Sequence, residues 1–159
     1  MIAVLIGAVG VYFLMKPRLD NLTNPELQSP TNVFEMSELK ICNSVDANFI
    51  CDENKEKIIK RGDEFYIYAQ VTQNNIDGSK KTSWQEGMKI TDNSGIVVYN
   101  NDNFGTLTPN LRYNGLNLVP LKILMDTKDD NIGKTITHLT LLDLTTNQKI
   151  TKIIEYKLI

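Results

Sequence analysis

Histidine is nearly missing from this chain, with His138 the single one in 159 residues. Cysteine is limited to Cys42 and Cys51, and tryptophan to Trp84. A metal site is not expected, because the two cysteines lack the CxxC spacing of a structural zinc site and His138 is far from them in sequence. Strong charge of one sign is also missing. The 17 basic side chains stand against 19 acidic ones, a net charge of -2. No field in that balance points to nucleic acid or to an acidic substrate. Nucleophile elbows, HExxH helices, Walker-type loops and the EF-hand DxDxDG pattern are all missing. The reading is therefore of no catalytic residue, no metal ligand and no cofactor.

An apolar run of full membrane-spanning length is missing as well. A spanning helix needs about 20 apolar residues, and the uncharged stretch Met1 to Met15 has only 15. As a helix rising 1.5 Å per residue it reaches about 22 Å. What is there, MIAVLIGAVGVYFLM, is apolar all round and ends abruptly at Lys16-Pro17-Arg18. A helix packed on a soluble core would show a polar face. A cleaved signal peptide would have a basic start and a small-x-small cleavage site. Neither is present, so residues 1–15 are expected to form a short uncleaved anchor helix whose flanking Lys16 and Arg18 snorkel. Residues 16–31 carry Pro17, Pro25 and Pro30 among polar residues, which reads as an extended linker. Asn21-Leu22-Thr23 matches an N-glycosylation sequon close to the membrane. Residues 32–159 then form one domain, within the usual size range.

Two cysteines with a short gap are compatible with one disulfide closing a small loop, and also with two unrelated thiols. The apolar start favours the disulfide, since it suggests an oxidising compartment. The expected location is a single-pass protein of the cell membrane with the C-terminal domain extracytoplasmic. The basic residues after the helix oppose this topology by the positive-inside rule.

From Val33 onward the pattern is β. In EFYIYAQVTQ, Phe65, Ile67, Ala69 and Val71 share one face, and Tyr66, Tyr68, Gln70 and Thr72 share the other. Met88 to Asp92 and Ile96 to Tyr99 flank Asn93-Ser94-Gly95 and read as a hairpin. Leu116 to Met125 alternates, with Pro120 and Lys122 indicating an edge or an irregular strand. Thr135 to Leu144 and Ile150 to Leu158 form a last pair around Thr145 to Gln148. Asn74 to Lys81 and Asn100 to Gly105 read as turn-rich, Lys55 to Arg61 as a solvated connection, and Trp84 falls outside the clear strands. His138 lies mid-strand, and Asp143, five residues on, faces the other way, so no His-acid pair forms. Short strands separated by turns predict an all-β antiparallel sandwich after one hydrophobic helix.

The tail GKTITHLTLLDLTTNQKITKIIEYKLI and the EFYIYAQVTQ strand resemble immunoglobulin-like or fibronectin-III-like modules of envelope proteins. The resemblance implies an immunoglobulin-like β-sandwich. The family's inter-sheet disulfide is not implied, because Cys42 and Cys51 are too close in sequence. The expected function is non-enzymatic: protein–protein interaction or assembly at the envelope, with another envelope protein or with itself. Tyr66, Tyr68 and Tyr99 are the candidate interaction surface, the competing reading being that these tyrosines fill the second half of a sandwich core. The alternatives are a carbohydrate- or calcium-binding module using the Asp126–Asn131 loop, or a pilin-like filament subunit.

Overall fold

The computed structural model describes residues 33–74, 82–109, 111, 116–128 and 130–159. The expected anchor, linker and sequon lie outside them. Among the described residues no helix is long and apolar enough to cross a membrane.

The described chain is all-β. Its strands are β1 (Phe34–Met36), β2 (Lys40–Val45), β3 (Cys51–Glu53), β4 (Ile58–Ile59), β5 (Glu64–Asn74), β6 (Trp84–Thr91), β7 (Val97–Leu107), β8 (Leu116–Asp126), β9 (Gly133–Asp143) and β10 (Lys149–Leu158). They form two five-stranded sheets. In the first sheet, β5 is central. It pairs along its whole length with β8, while β2 and β1 share its other side and β3 lies outside β2. The second sheet has the order β4-β10-β9-β6-β7. Neighbours run antiparallel except β4 and β10.

Period-two alternation builds the core. Phe65, Ile67, Ala69 and Val71 of β5 are buried, as are Leu121, Ile123 and Met125 of β8. They join Trp84, Met88 and Ile90 of β6, Leu139 and Leu141 of β9, and Ile154, Tyr156 and Leu158 of β10 in one apolar cluster. Each such side chain contributes about 1.5–3 kcal/mol by leaving water. Ring contacts tie the sheets together: Phe65 meets Tyr156 edge-on at 5.1 Å, and Phe34 meets Trp84 at 5.8 Å. Burial raises the Tyr156 phenol to about 12. β8 pairs only with β5 among the described residues, so Pro120 does sit on an edge strand, where its missing N–H costs no ladder bond.

Three sequence expectations need correction. Trp84 does not lie outside the strands: it opens β6 and is 0% exposed. It lacks neighbouring apolar alternation because its indole is placed by a polar network. The Trp84 Nε1–H donates to Gln73 Oε1 at 2.8 Å, and Gln73 Nε2 donates to Asp143 Oδ2 at 2.8 Å. Asp143 also accepts from the Thr145 amide and the Thr146 hydroxyl, so one buried carboxylate fixes both the indole and the β9–β10 turn. Asn100 to Gly105 is not a turn but part of β7. Lys55 to Arg61 is not wholly solvated, because it contains β4, whose Ile59 is a core residue.

Candidate functional site

Two hairpins in this chain share one turn. At Asp92, Oδ1 accepts from the amides of Ser94 and Ile96, and the carbonyl accepts from Gly95. At Asp46, Oδ1 accepts from the amides of Asn48 and Ile50, and the carbonyl accepts from Phe49. In each case the fourth residue is left-handed: Gly95 has φ 77° and Phe49 has φ 59°. Glycine adopts that backbone freely, whereas an aromatic residue there is a steric outlier costing roughly 1–2 kcal/mol. Something must hold Phe49 in place. The Asp46 side chain does so from within the loop. Cys42 and Cys51 do so from outside it, with their sulfurs 2.01 Å apart and their Cα atoms 5.5 Å apart. The pair closes the β2–β3 hairpin within one sheet, as its short spacing suggests.

The Phe49 ring lies over the outer face of the first sheet. The Lys122 ammonium is 5.2 Å from its centroid and 5.9 Å from that of Tyr66. Such contacts contribute about 0.5–1 kcal/mol each at exposed sites. Tyr68 lies next along β5, flanked in register by Lys40 of β2 and Lys122 of β8. It is 9% exposed although it points away from the core. Lys40 pairs with Glu53 of β3 at 2.7 Å, and this hydrogen bond holds the Glu53 carboxyl below its usual range. The face continues along β8 through Leu118 and Leu116, both more than half exposed. The result is an outward surface of rigid aromatic rings, apolar side chains and two lysine stems. Of these, the aromatic rings are the residue type enriched in protein contacts, whereas lysine is depleted there.

The structure brings Tyr66 and Tyr68 together. Tyr99 lies elsewhere, on β7 of the second sheet and packed against the core. The sequence reading missed Phe49 and Lys122. A signal for Phe49 was present, since DANFI at 46–50 parallels DNSGI at 92–96 with phenylalanine in the glycine position. Lys122 becomes visible only through the β5–β8 register.

Other candidate chemistry is arranged differently. His138 pairs in register with Lys89 and Ile153. In the Asp126–Asn131 loop, Asp126 Oδ1 accepts from the Lys128 amide, and the Thr127 hydroxyl braces Gly62 and Asp63. Asp129 lies outside the described residues. A groove of about 280 Å³ runs past Asn43, Asn54, Lys60, Asp63 and Glu64. The Asn54 amide there is already engaged by Asn43 Oδ1 and the Ile58 carbonyl.

No protein-family model and no curated protein matches the chain. Among the solved structures with partial likeness are two of low identity. One is Pseudomonas fluorescens alkylpurine DNA glycosylase AlkC bound to DNA containing an abasic site analog. It is 8% identical with a TM-score of 0.42, and the match covers 79% of this chain and 30% of that one. The other is an X-ray structure of the structural-genomics target SoR45. It is 13% identical with a TM-score of 0.32, over 79% of this chain and 84% of that one. The chain thus spans less than a third of the glycosylase's length. Likeness at these levels says nothing about activity.

Proposed function

We propose that this chain is a non-enzymatic, membrane-anchored module with an immunoglobulin-like β-sandwich outside the cytoplasm, working by protein–protein contact at the cell envelope. The observation that carries this reading is Phe49. A strained aromatic held by a disulfide and an Asp-organised turn is costly for the fold alone. It makes sense as a preformed contact ring beside Tyr66, Tyr68 and Lys122. Preorganised aromatic anchors contribute most of the affinity in such interfaces. The partner is another envelope protein or a second copy of the chain.

The disulfide supports an oxidising compartment, and the run Met1–Met15 supports a tether. The position of the face agrees with a tether too. The described chain starts at Val33, which is hydrogen-bonded to Asn74 at the end of β5. Phe49 shares the Lys122 ammonium with Tyr66, which lies close to the start of that strand. The eight residues from 66 to 74 span about 26 Å, so a chain tethered at its N-terminus presents the Phe49 loop at its far end.

Topology and redox state are tested together by labelling the full chain in intact cells with a membrane-impermeant thiol reagent. Cys42 and Cys51 label from outside only after reduction if the proposal holds. Labelling without reduction, and only after lysis, contradicts both the disulfide and the location.

A further inference from the structure

Glu86 is out of place in the core. It sits on the inward face of β6 between Trp84 and Met88, and is itself 1% exposed. In register it faces Leu141 of β9 and Gly105 of β7. Neither carboxyl oxygen has a hydrogen-bond partner among the described residues. A charge there would lose its hydration with no donor or cation in return. The inward rows of β5 and β8 facing this sheet hold no ionisable side chain: they are Phe65 to Val71 and Leu121 to Met125. Asp143 on β9 is occupied by Gln73, Thr145 and Thr146. Tyr156 on β10 stays neutral far into the alkaline range. On β7, Tyr99 is partly buried and Asp102 is exposed. Burial alone therefore sets the acid, raising it from 4.5 to about 7.

The strand beside Glu86 is an edge strand with an irregular register. β9 is paired on both sides, whereas β7 pairs only with β6 among the described residues. Its register breaks twice, between Glu86 and Met88 and between Ile90 and Thr91. At the first break Asp102, Asn103 and Phe104 stand against Gly87 alone, and side chains hold this bulge: Gln85 Nε2 donates to the Asp102 carbonyl and Asn101 Oδ1 accepts from the Asn103 amide. β7 is exposed along most of its length. Opposite Glu86 it offers Gly105, which has no side chain to close the way to water.

We propose that Glu86 is a protonation-controlled latch for the edge strand: as the neutral acid it seats in the core and keeps β7 closed, and on ionising it leaves past Gly105 and releases the Asn101–Leu107 half of β7. The direction follows from linkage. The closed state holds its proton up to about 7, while the open state releases it near the ordinary value of 4.5. Closure is therefore complete below 4.5, weakens as pH rises through the interval, and reaches a constant, lower level above about 7. An interval of about 2.5 pH units corresponds to an opening equilibrium about 300-fold larger at the alkaline plateau. The consequence is that the β6 backbone groups covered by β7 in acid become free to accept a strand at neutral to alkaline pH.

Hydrogen exchange on the full chain, corrected for intrinsic rates and followed from pH 4.5 to 8.5, reads this directly. Amides of Asn101–Leu107 lose about 300-fold protection with rising pH, β5 and β8 do not, and Glu86→Gln removes the dependence. A pH dependence that is equal in Glu86→Gln and the parent, or a loss spread evenly over both sheets, overturns the latch. Carbon-13 titration of the Glu86 carboxyl in the unmutated protein decides independently of whether the variant folds. A midpoint near 7 supports the proposal and one near 4.5 overturns it.

Discussion

Phe49 and Gly95 occupy equivalent places in two turns built by Asp46 and Asp92, and their contrast isolates the cost of one side chain. Replacing Phe49 by Gly relieves about 1–2 kcal/mol of left-handed strain and gives up about 0.5–1 kcal/mol of cation–π contact. Added backbone freedom in the unfolded chain offsets part of the relief. Thermal unfolding of Phe49→Gly should therefore stay within about 1 kcal/mol of the parent, while capture of the partner is lost. A melting temperature that collapses would instead make Phe49 an ordinary packing residue. Asp143 shows a different logic at the same scale. Its three donors come from β5 and from its own turn, 70 residues and a few residues away in sequence. Sequence spacing did place Asp143 and His138 on opposite faces. It said nothing of Gln73 and Trp84, because a buried hydrogen-bond network leaves no periodicity.

Among the elements, the strands with one wet face were readable, the edge strand β8 included, and the bulged edge strand β7 was readable only at its start. β5 and β10 alternate as their sequences imply, with Phe65 to Val71 and Ile154 to Leu158 inside. β7 reads as polar turn sequence from Asn100 to Gly105 because Asn100 to Asn103 are all exposed and a bulge interrupts the strand, which breaks the alternation. The bulge depends on Gly87. A Cβ at that position would lie 3.1 Å from the Asp102 carbonyl oxygen. That oxygen accepts from Gln85 Nε2 at 2.9 Å, so a retreat of a few tenths of an ångström stretches this hydrogen bond. Gly87→Ala is accordingly expected to lower stability by about 1–3 kcal/mol, as overpacking does, and denaturant unfolding measures it. An unchanged or raised midpoint would mean that β7 yields there at no cost. β8 turns Leu121, Ile123 and Met125 inward, and its outward row is apolar at Leu116 and Leu118 before reaching Lys122 and Asp126. A strand segment apolar on both faces usually lies between two layers. On β8 the second layer is lacking within the described chain, in keeping with a face that receives a partner.

For the molecule as a whole, fold class was legible from alternation and turn residues, and the interaction face was legible only in part. Tyr66 and Tyr68 could be placed on one surface from β5 alone. Joining them to Phe49 and Lys122 required the pairing of β5 with β2 on one side and β8 on the other, which no local pattern encodes. Separating Tyr99 required knowing that β6 and β7 belong to the second sheet. The resulting arrangement is directional: the described chain starts at one end of β5, and the disulfide-closed loop lies toward the other. The central claim is that this outer face meets the partner. Site-specific photo-crosslinking in intact cells, with the reactive group at Lys122 in one strain and at Lys89 on the second sheet in another, tests it most directly. The account predicts a defined adduct from position 122 and none from position 89. Equal adducts from both positions, or none from 122 at native abundance, would contradict it.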